Sequence, residues 1–565
     1  MKKAAFIFLA LQLTVSATRA QVLTRGPYLQ SSGPNSIIIR WRTDIASDSR
    51  VHYGLAQGAK DQTVDNAFPT TEHRVQLSGL LPHTKYYYSI GSATQMLRGD
   101  AYLYFTTAPD PAAPTPLRFW AMGDFGHGNE GQRLVRDSYL DFAAQDRPAD
   151  LWIWMGDNAY QDGTDQEFQD KVFDSINGYQ KIFMNLPFAA TSGNHDYNSI
   201  CPWQNAQGLP VLCNQDPNTH TGPYLDMIDP PQFGELGGVP SNRKIFYSFD
   251  YGDIHFISLN SELGSWNPNY DWIGIADSDT SFTSPMLEWL KADLAATTKK
   301  WKIAFWHQCP YSGQDNLTEE NSVQQFCVAT RHHFNPILER YGVDLVLTGH
   351  DHNFQRSYLI NGHYYGKDSF TPQMMVSGTS GNDLLGEAYV KYTDGPLAGK
   401  GTVYVVAGGT SNVNDYSPIE HPAIYFGYAC DTCLGSFIFD VDGDRLDAYY
   451  LTVYNGILDR FTIKKQSTTG VHDANTVLKN LEVYPNPAHS GQVTVSYALL
   501  KKSAVRIELL DLNQKVVSET DAGTLEPGNH EQSIDLKKGG FAKGQYLVRI
   551  HTNEGVSYRK LMIAD

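Results

Sequence analysis

Between residue 117 and about 465, short apolar runs alternate with helix-like stretches, and no other feature of this 565-residue chain restricts its fold as strongly. The runs are Leu117–Met122, Leu151–Met155, Pro187–Ala190, Ile254–Leu259, Lys302–Trp306 and Leu345–Leu347. Ser284–Ala296 and His332–Tyr341 are helix-like. Such alternation predicts a layered α/β domain. Five polar motifs stand just after apolar runs: Gly123-Asp124-Phe125-Gly126, Gly156-Asp157-Asn158-Ala159-Tyr160, Gly193-Asn194-His195-Asp196, His307 in Phe305-Trp306-His307-Gln308, and Gly349-His350-Asp351-His352. Open α/β sheets bind ligands beyond the carboxyl ends of their strands. The five loops are therefore expected to converge on one edge.

Convergence would bring together Asp124, Asp157, Tyr160, Asn194, His307, His350 and His352. Hard oxygen and borderline nitrogen donors without a cysteine suit iron, manganese or zinc better than copper(I) or an iron–sulfur cluster. Taken singly, each residue reads more blandly. An Asp-x-Gly is ordinarily a turn, a lone tyrosine a packed aromatic, and a histidine after an aromatic strand a hydrogen-bonded core residue. The conjunction, in one order and after strand-like runs, is what argues for metal. His127, His332 and His333 are set aside, the last two because they sit in a helix-like stretch. Asp196 and Asp351 read either as partners that orient His or Asn ligands or as turn residues.

The flanking regions differ in pattern. In residues 21–108, Ser36–Arg42, Ser49–Tyr53 and His73–Leu77 are short β runs separated by Gly, Pro, Asn and Asp. The segment Gly79–Tyr88 has the features of a tyrosine corner, and Trp41 is the expected core residue of a fibronectin type III-like sandwich. Residues 109–116 are proline-rich and read as a stiff linker. Residues 466–480 read as a second linker, and β alternation returns over 481–565 as a small C-terminal sandwich. At the start, Lys2 and Lys3 precede the apolar run Ala4–Leu11, and small residues lead to Ala20, so residues 1–20 read as a secretory signal peptide. No later run is long and apolar enough for a transmembrane helix. Six cysteines agree with export. Many connectivities are open; proximity favours Cys201–Cys213, Cys309–Cys327 and Cys430–Cys433. The net charge of −17, with no basic block, excludes nucleic-acid binding by phosphate neutralisation.

The order of the motifs resembles the calcineurin-like metallophosphoesterases, in which a central α/β domain (a β-sandwich flanked by helices) holds two metals. Most of that family open with D-x-H, whereas Asp124 is followed by Phe125 and Gly126, and Tyr160 stands three residues after Asp157. D-x-G, G-D-x-x-Y, G-N-H-D, W-H and G-H-x-H in this order resemble the purple acid phosphatases. Arg25-Gly26-Pro27-Tyr28-Leu29-Gln30 extends the likeness into the N-terminal sandwich. The resemblance implies Fe(III) held by Asp124, Asp157, Tyr160 and His352. It implies a divalent Fe, Zn or Mn held by Asp157, Asn194, His307 and His350, with Asp157 bridging. His195 would protonate the leaving group. The implied activity is a secreted acid phosphatase that hydrolyses phosphomonoesters by attack of a metal-bound hydroxide. A phosphodiesterase or nucleotidase on the same site, and a non-catalytic surface-binding protein, are the alternatives. Relatives carry a further histidine after the fourth motif, but residues 308–331 contain none. Tyr311, His195 or metal-bound water could take its place. Tyr484-Pro485-Asn486-Pro487, Gly544–Ile550 and Arg559-Lys560-Leu561 resemble the sorting domain of the Bacteroidota type IX secretion system, which implies that machinery as a partner and the cell surface or medium as destination.

Overall fold

The computed structural model describes residues 20–197, 222–262, 284–313, 325–413, 421–428, 433–467 and 478–563, apart from positions 112, 114, 455, 490, 511–515, 540, 542 and 554. The expected signal peptide, Cys201, Cys213 and Cys430 lie outside the described residues.

The apolar runs are strands, and their composition follows from where they sit. Leu117–Met122 and Leu151–Met155 are buried along their whole length. Parallel strands covered on both faces read as continuous apolar runs, without alternation. They pair in parallel with each other, and Leu151–Met155 pairs in parallel with Phe188–Thr191. A second sheet runs in the order Tyr247–Tyr251, Ile254–Ser258, Trp301–Phe305, Leu345–Thr348, Val403–Ala407, Phe354–Ser357 and Ile424–Tyr428. The two sheets face each other across a core that includes Phe119, Ile153, Phe256, Ile303, Phe305, Val405 and Phe439. Their outer faces carry Trp120, Trp152, Trp154, Ile257, Ala304 and Val346, packed under helices Glu130–Gln145 and Pro285–Ala296. The central domain is thus a β-sandwich flanked by helices, as expected.

Ser284 caps the second helix by accepting a hydrogen bond from the Leu287 amide. The helix expected over His332–Tyr341 is two. Gln325–His333 ends and Asn335–Arg340 begins anew, because Pro336 lacks an amide proton and its ring clashes with a continuing turn.

The N-terminal sandwich continues the first sheet. Leu23–Gln30 pairs with Phe188–Thr191 at Gln30 and Phe188, so Ser36–Gly54 and Lys85–Gly91 extend this sheet of the central domain outward. The proline-rich segment 109–116 therefore joins two parts of one sheet. The two β runs expected within 36–53 form a single strand, Ser36–Gly54, whose register shifts between Arg42 and Ser49 absorb the polar break in the pattern. Trp41 is fully buried, and the Tyr86 hydroxyl accepts from the Leu81 amide at 3.0 Å, forming the tyrosine corner. Met227 and Asp229 belong to an insertion, residues 198–240, rich in Pro, Gly, Asn and Asp, that separates strands Phe188–Thr191 and Tyr247–Tyr251 in the sequence. The Met227 carbonyl accepts from Tyr28 and Gln30, and Asp229 pairs with Arg40 and Arg74. This part of the insertion docks on the sandwich.

The C-terminal region is strand-rich and has its own core, including Val495, Ile507, Val548 and Leu561. Strand Gly528–Asp535 was not expected from the sequence. It pairs with Gln492–Leu499 but buries little beyond Ile534, so its residues show no apolar period.

Candidate metal centre

Each expected ligand-bearing loop begins where a parallel strand ends, and the backbone must turn at once to aim a side chain back over the sheet edge. Asp124, Asp157 and His350 consequently have φ of 59°, 50° and 71°. Non-glycine residues seldom occupy this left-handed region, and strain of this kind clusters at functional sites. The neighbouring glycines leave room for the acids. A Cβ on Gly193 would stand 2.2 Å from Asp157 Oδ1, and one on Gly349 would stand 2.4 Å from Asp124 Oδ2.

Each of the two carboxylates has one oxygen fixed by the backbone and the other free to face the centre. Asp124 Oδ2 accepts from the His350 amide at 2.9 Å, and Asp157 Oδ1 accepts from the His195 amide at 2.8 Å. The inward oxygens meet the other candidates. Tyr160 Oη lies 2.9 Å from Asp124 Oδ1, 3.0 Å from Asp157 Oδ2 and 3.1 Å from His352 Nε2. His352 Nε2 is 3.3 Å from Asp124 Oδ1. On the other side of Asp157, His307 Nε2 is 3.2 Å from Oδ2 and 3.3 Å from His350 Nδ1. Donor atoms of Asp124, Asp157 and His307 all fall within 4.8 Å of one another.

These atoms need a cation between them. His307 Nδ1 is 2.9 Å from the Met155 carbonyl, which can only accept. The ring proton therefore sits on Nδ1, and Nε2 points its lone pair at a carboxylate oxygen and a second imidazole. Tyr160 has one proton for three acceptors. Burial and the two carboxylates raise the Tyr160 pKa well above the ordinary phenol value. Burial alone would lower His307, yet Asp157 and Asp124 hold it well above the usual imidazole value. The cavity thus favours positive charge, which protons supply in part and metal ions would supply fully. The donor set fits a metal centre built on Asp124, Asp157 and His307.

The remaining candidates stand around this cluster. Asn194 Oδ1 accepts from Gln308 Nε2 at 3.4 Å, and the same Gln308 amide donates to the buried Glu262 at 3.1 Å. Burial pushes the Glu262 carboxyl up to about 7. His195 Nδ1 lies 2.6 Å from the Gln161 carbonyl, its Nε2 lies 3.9 Å from Asp157 Oδ2, and its side chain is 26% exposed. It stands at the mouth, where a substrate would arrive. Asp196 ties two ligand loops together by accepting from the Gly193 amide and from the Asn158 amide and side chain. Asp351 accepts from Ser312 and Gln355.

Three sequence expectations change. Tyr311 is buried and turned away from the centre; its hydroxyl donates to the His363 carbonyl and accepts from Asn335, so it is no acid for the leaving group. Cys309 and Cys327 are neighbours, as expected, but both are free thiols with Sγ atoms 3.8 Å apart. That is van der Waals contact, not a bond of about 2.0 Å. They pack as small apolar side chains with Val406. Cys433 is disulfide-bonded. His127, set aside in the sequence, lies stacked on Tyr160 with ring centroids 3.7 Å apart. Only its place three residues after Asp124 hinted at this, since its anchor, Ser411, is remote in the chain.

Comparison with known proteins places this geometry. Residues 117–354 match the calcineurin-like phosphoesterase family, residues 25–107 the purple acid phosphatase N-terminal domain, and residues 482–564 the secretion system C-terminal sorting domain. Acid phosphatase A of Cryphonectria parasitica is 25% identical over 508 residues, covering 78% of this chain and 91% of that protein. Acid phosphatase type 7 of Homo sapiens is 25% identical over 353 residues, covering 58% and 69%. Purple acid phosphatase PPD1 from yellow lupin (Lupinus luteus) seeds shares the fold with a TM-score of 0.56 and 18% identity, over 78% of this chain and 75% of that one. The sorting domain indicates export by the type IX route, and no helix among the described residues is long and apolar enough to cross a membrane. With its phosphoesterase domain, its N-terminal sandwich and the order of its ligand loops all in agreement, the chain carries a calcineurin-like phosphoesterase domain joined to a purple acid phosphatase N-terminal domain and is similar to acid phosphatases over most of its length.

Proposed function

We propose that the chain is an exported acid phosphatase that hydrolyses phosphomonoesters at a dinuclear centre. Asp124, Asp157, Tyr160 and His352 would hold Fe(III). Asp157, Asn194, His307 and His350 would hold divalent Fe, Zn or Mn. The observation that carries this reading is the gathering of lone pairs around Asp157 Oδ2, within 3.0 Å of Tyr160 Oη and 3.2 Å of His307 Nε2. One carboxylate oxygen thereby touches donors of both expected sets.

Bound there, a metal pair supplies charge neutralisation for the phosphate and an acidified water. The chain's own residues do the rest. The backbone amides of His195 and His350 fix the two carboxylates so that their free oxygens face inward. The Met155 carbonyl fixes the His307 tautomer. His195, with Nδ1–H donating to the Gln161 carbonyl, directs Nε2 toward the mouth. In its protonated form that nitrogen can give a proton to the departing alkoxide, the task left open by the missing histidine in 308–331. Tyr311 does not compete for this role. Recognition of the C-terminal domain by the type IX machinery, with its removal after export, completes the proposal.

The test is metal analysis and visible absorption of the purified protein, followed by turnover of phosphomonoesters, diesters, nucleotides and phytate. Two metals per chain, a tyrosinate–iron charge-transfer colour and preference for monoesters are expected. A colourless, zinc-only protein with full activity would overturn the Fe(III) assignment, and preference for diesters would overturn the substrate class.

A further inference from the structure

We infer that His127 is a positioning residue of the metal centre, whose ring holds the Tyr160 phenol where it can serve as a ligand. The inference rests on the proposed ligand role of Tyr160. The two rings lie with centroids 3.7 Å apart and planes 25° from parallel, a stacked contact. The His127 ring is itself fixed. Ser411 Oγ donates its single proton to the Asp124 carbonyl, so His127 Nδ1, 2.7 Å from the same oxygen, must be the donor in that contact. The imidazole is thereby locked in tautomer and orientation by a residue that also binds the backbone of Asp124. His195 also lies against the Tyr160 ring, 4.5 Å away and tilted 48°. Tyr160 Oη must sit within hydrogen-bond reach of Asp124, Asp157 and His352 at once. A phenol free to swing about its Cβ–Cγ axis or away from the sheet edge would lose that position. His127 restrains it through ring contact, and Ser411 transmits the restraint from the loop after Val403–Ala407.

The experiment uses the full chain with its metals. His127→Ala removes the ring, His127→Phe keeps a stacking face without the Ser411 bond, and Ser411→Ala removes the anchor. The readouts are the rate of metal loss to a chelator, the position of the visible band, and the melting temperature of the metal-free form. Partners that orient a ligand are typically worth about 10–100-fold in metal affinity. His127→Ala is therefore expected to lose metal at least about tenfold faster than the parent. Its visible band should shift, and its metal-free melting temperature should stay unchanged. His127→Phe should recover most of the retention, and Ser411→Ala should fall between. Equal metal retention in His127→Ala and parent would overturn the inference, as would a loss of retention matched by an equal loss of metal-free stability. Should His127→Ala fail to fold, His127→Phe and Ser411→Ala decide, since retention equal to the parent in Ser411→Ala with an unshifted band would also overturn it. A parent protein without a tyrosinate band would remove the Fe(III) assignment alone, because chelator retention still reads the role of His127 on whatever metal is bound.

Discussion

At the scale of single residues, the centre places side chains where backbone preference opposes them. Asp157 keeps its carboxylate at a left-handed φ of 50° because a glycine there, though relaxed, would hold nothing. Asparagine tolerates this conformation almost uniquely among polar replacements of the same size. Asp157→Asn should therefore fold as the parent does, with a circular dichroism spectrum unchanged. It should lose metal and lower kcat at least about 10²–10³-fold; full turnover with both metals retained would remove Asp157 from the bridging position. His195 makes a different prediction, since its backbone amide already fixes Asp157 whatever its side chain is. His195→Ala should keep both metals and lower kcat about 10²-fold for monoesters with poor leaving groups. The loss should be much smaller for activated aryl phosphates, whose leaving groups need no proton. An equal loss for both classes would show that the imidazole does not act on the leaving group.

At the scale of elements, what the sequence disclosed and what it concealed follow from burial. Strands covered on both faces, such as Leu151–Met155, are continuous apolar runs and announce themselves. The motifs after them were legible for the same reason, because a polar residue ending such a run has few bland explanations. Gly528–Asp535 was invisible, as a largely exposed strand carries no apolar period. His127 and Gln308 were missed because their roles depend on partners from other loops, Ser411 and Asn194, which only the fold brings near. The helix Pro285–Ala296 offers a further case. Its Asp293 is fully buried and bonded to His255 Nε2 at 2.8 Å, while His255 Nδ1 meets Asp250 at 2.8 Å and Ser248 donates to Asp293. Burial works against the charged imidazole, but the two carboxylates win and raise its pKa above the ordinary value. A raised histidine contributes stability that is complete below its unfolded value of about 6.5 and fades as pH rises through the folded value. His255→Gln should thus cost about 3–5 kcal/mol in mildly acid solution, where it strands a buried carboxylate. It should cost less in alkaline solution. Urea unfolding followed from about pH 5.5 to about pH 10 measures this, and a loss that stays constant across that range would refute the charged pair.

At the scale of the whole molecule, the three sequence regions are not equally separable. Tyr28 of the N-terminal sandwich belongs to the core of the phosphoesterase domain, and Met184 of the latter belongs to the core of the sandwich. One sheet runs through both, and Arg42 and Arg25 bind Asp165 just beyond the Tyr160 loop. The sandwich is therefore part of what holds the metal-bearing edge, and a chain lacking residues 21–108 should fail to give soluble, metal-binding protein. The C-terminal domain is more separate. Among the described residues its core draws on Leu478 to Ile563, and an ion pair to the phosphoesterase domain, Arg559 with Glu387 at 3.4 Å, is partly exposed. A partly exposed pair of this kind is worth about 0–1 kcal/mol. Calorimetry of the full chain should accordingly resolve two transitions, the smaller with an enthalpy of about 60 kcal/mol, as suits a domain of this size. Cutting within 468–477 and removing the C-terminal fragment should abolish the smaller transition and leave the larger one and kcat unchanged. A shift of the larger transition by about 4 °C or more would mean that the sorting domain stabilises the enzyme by about 3–4 kcal/mol, more than its visible contact supplies, and the excision expected after export would then have to be compensated by the metals.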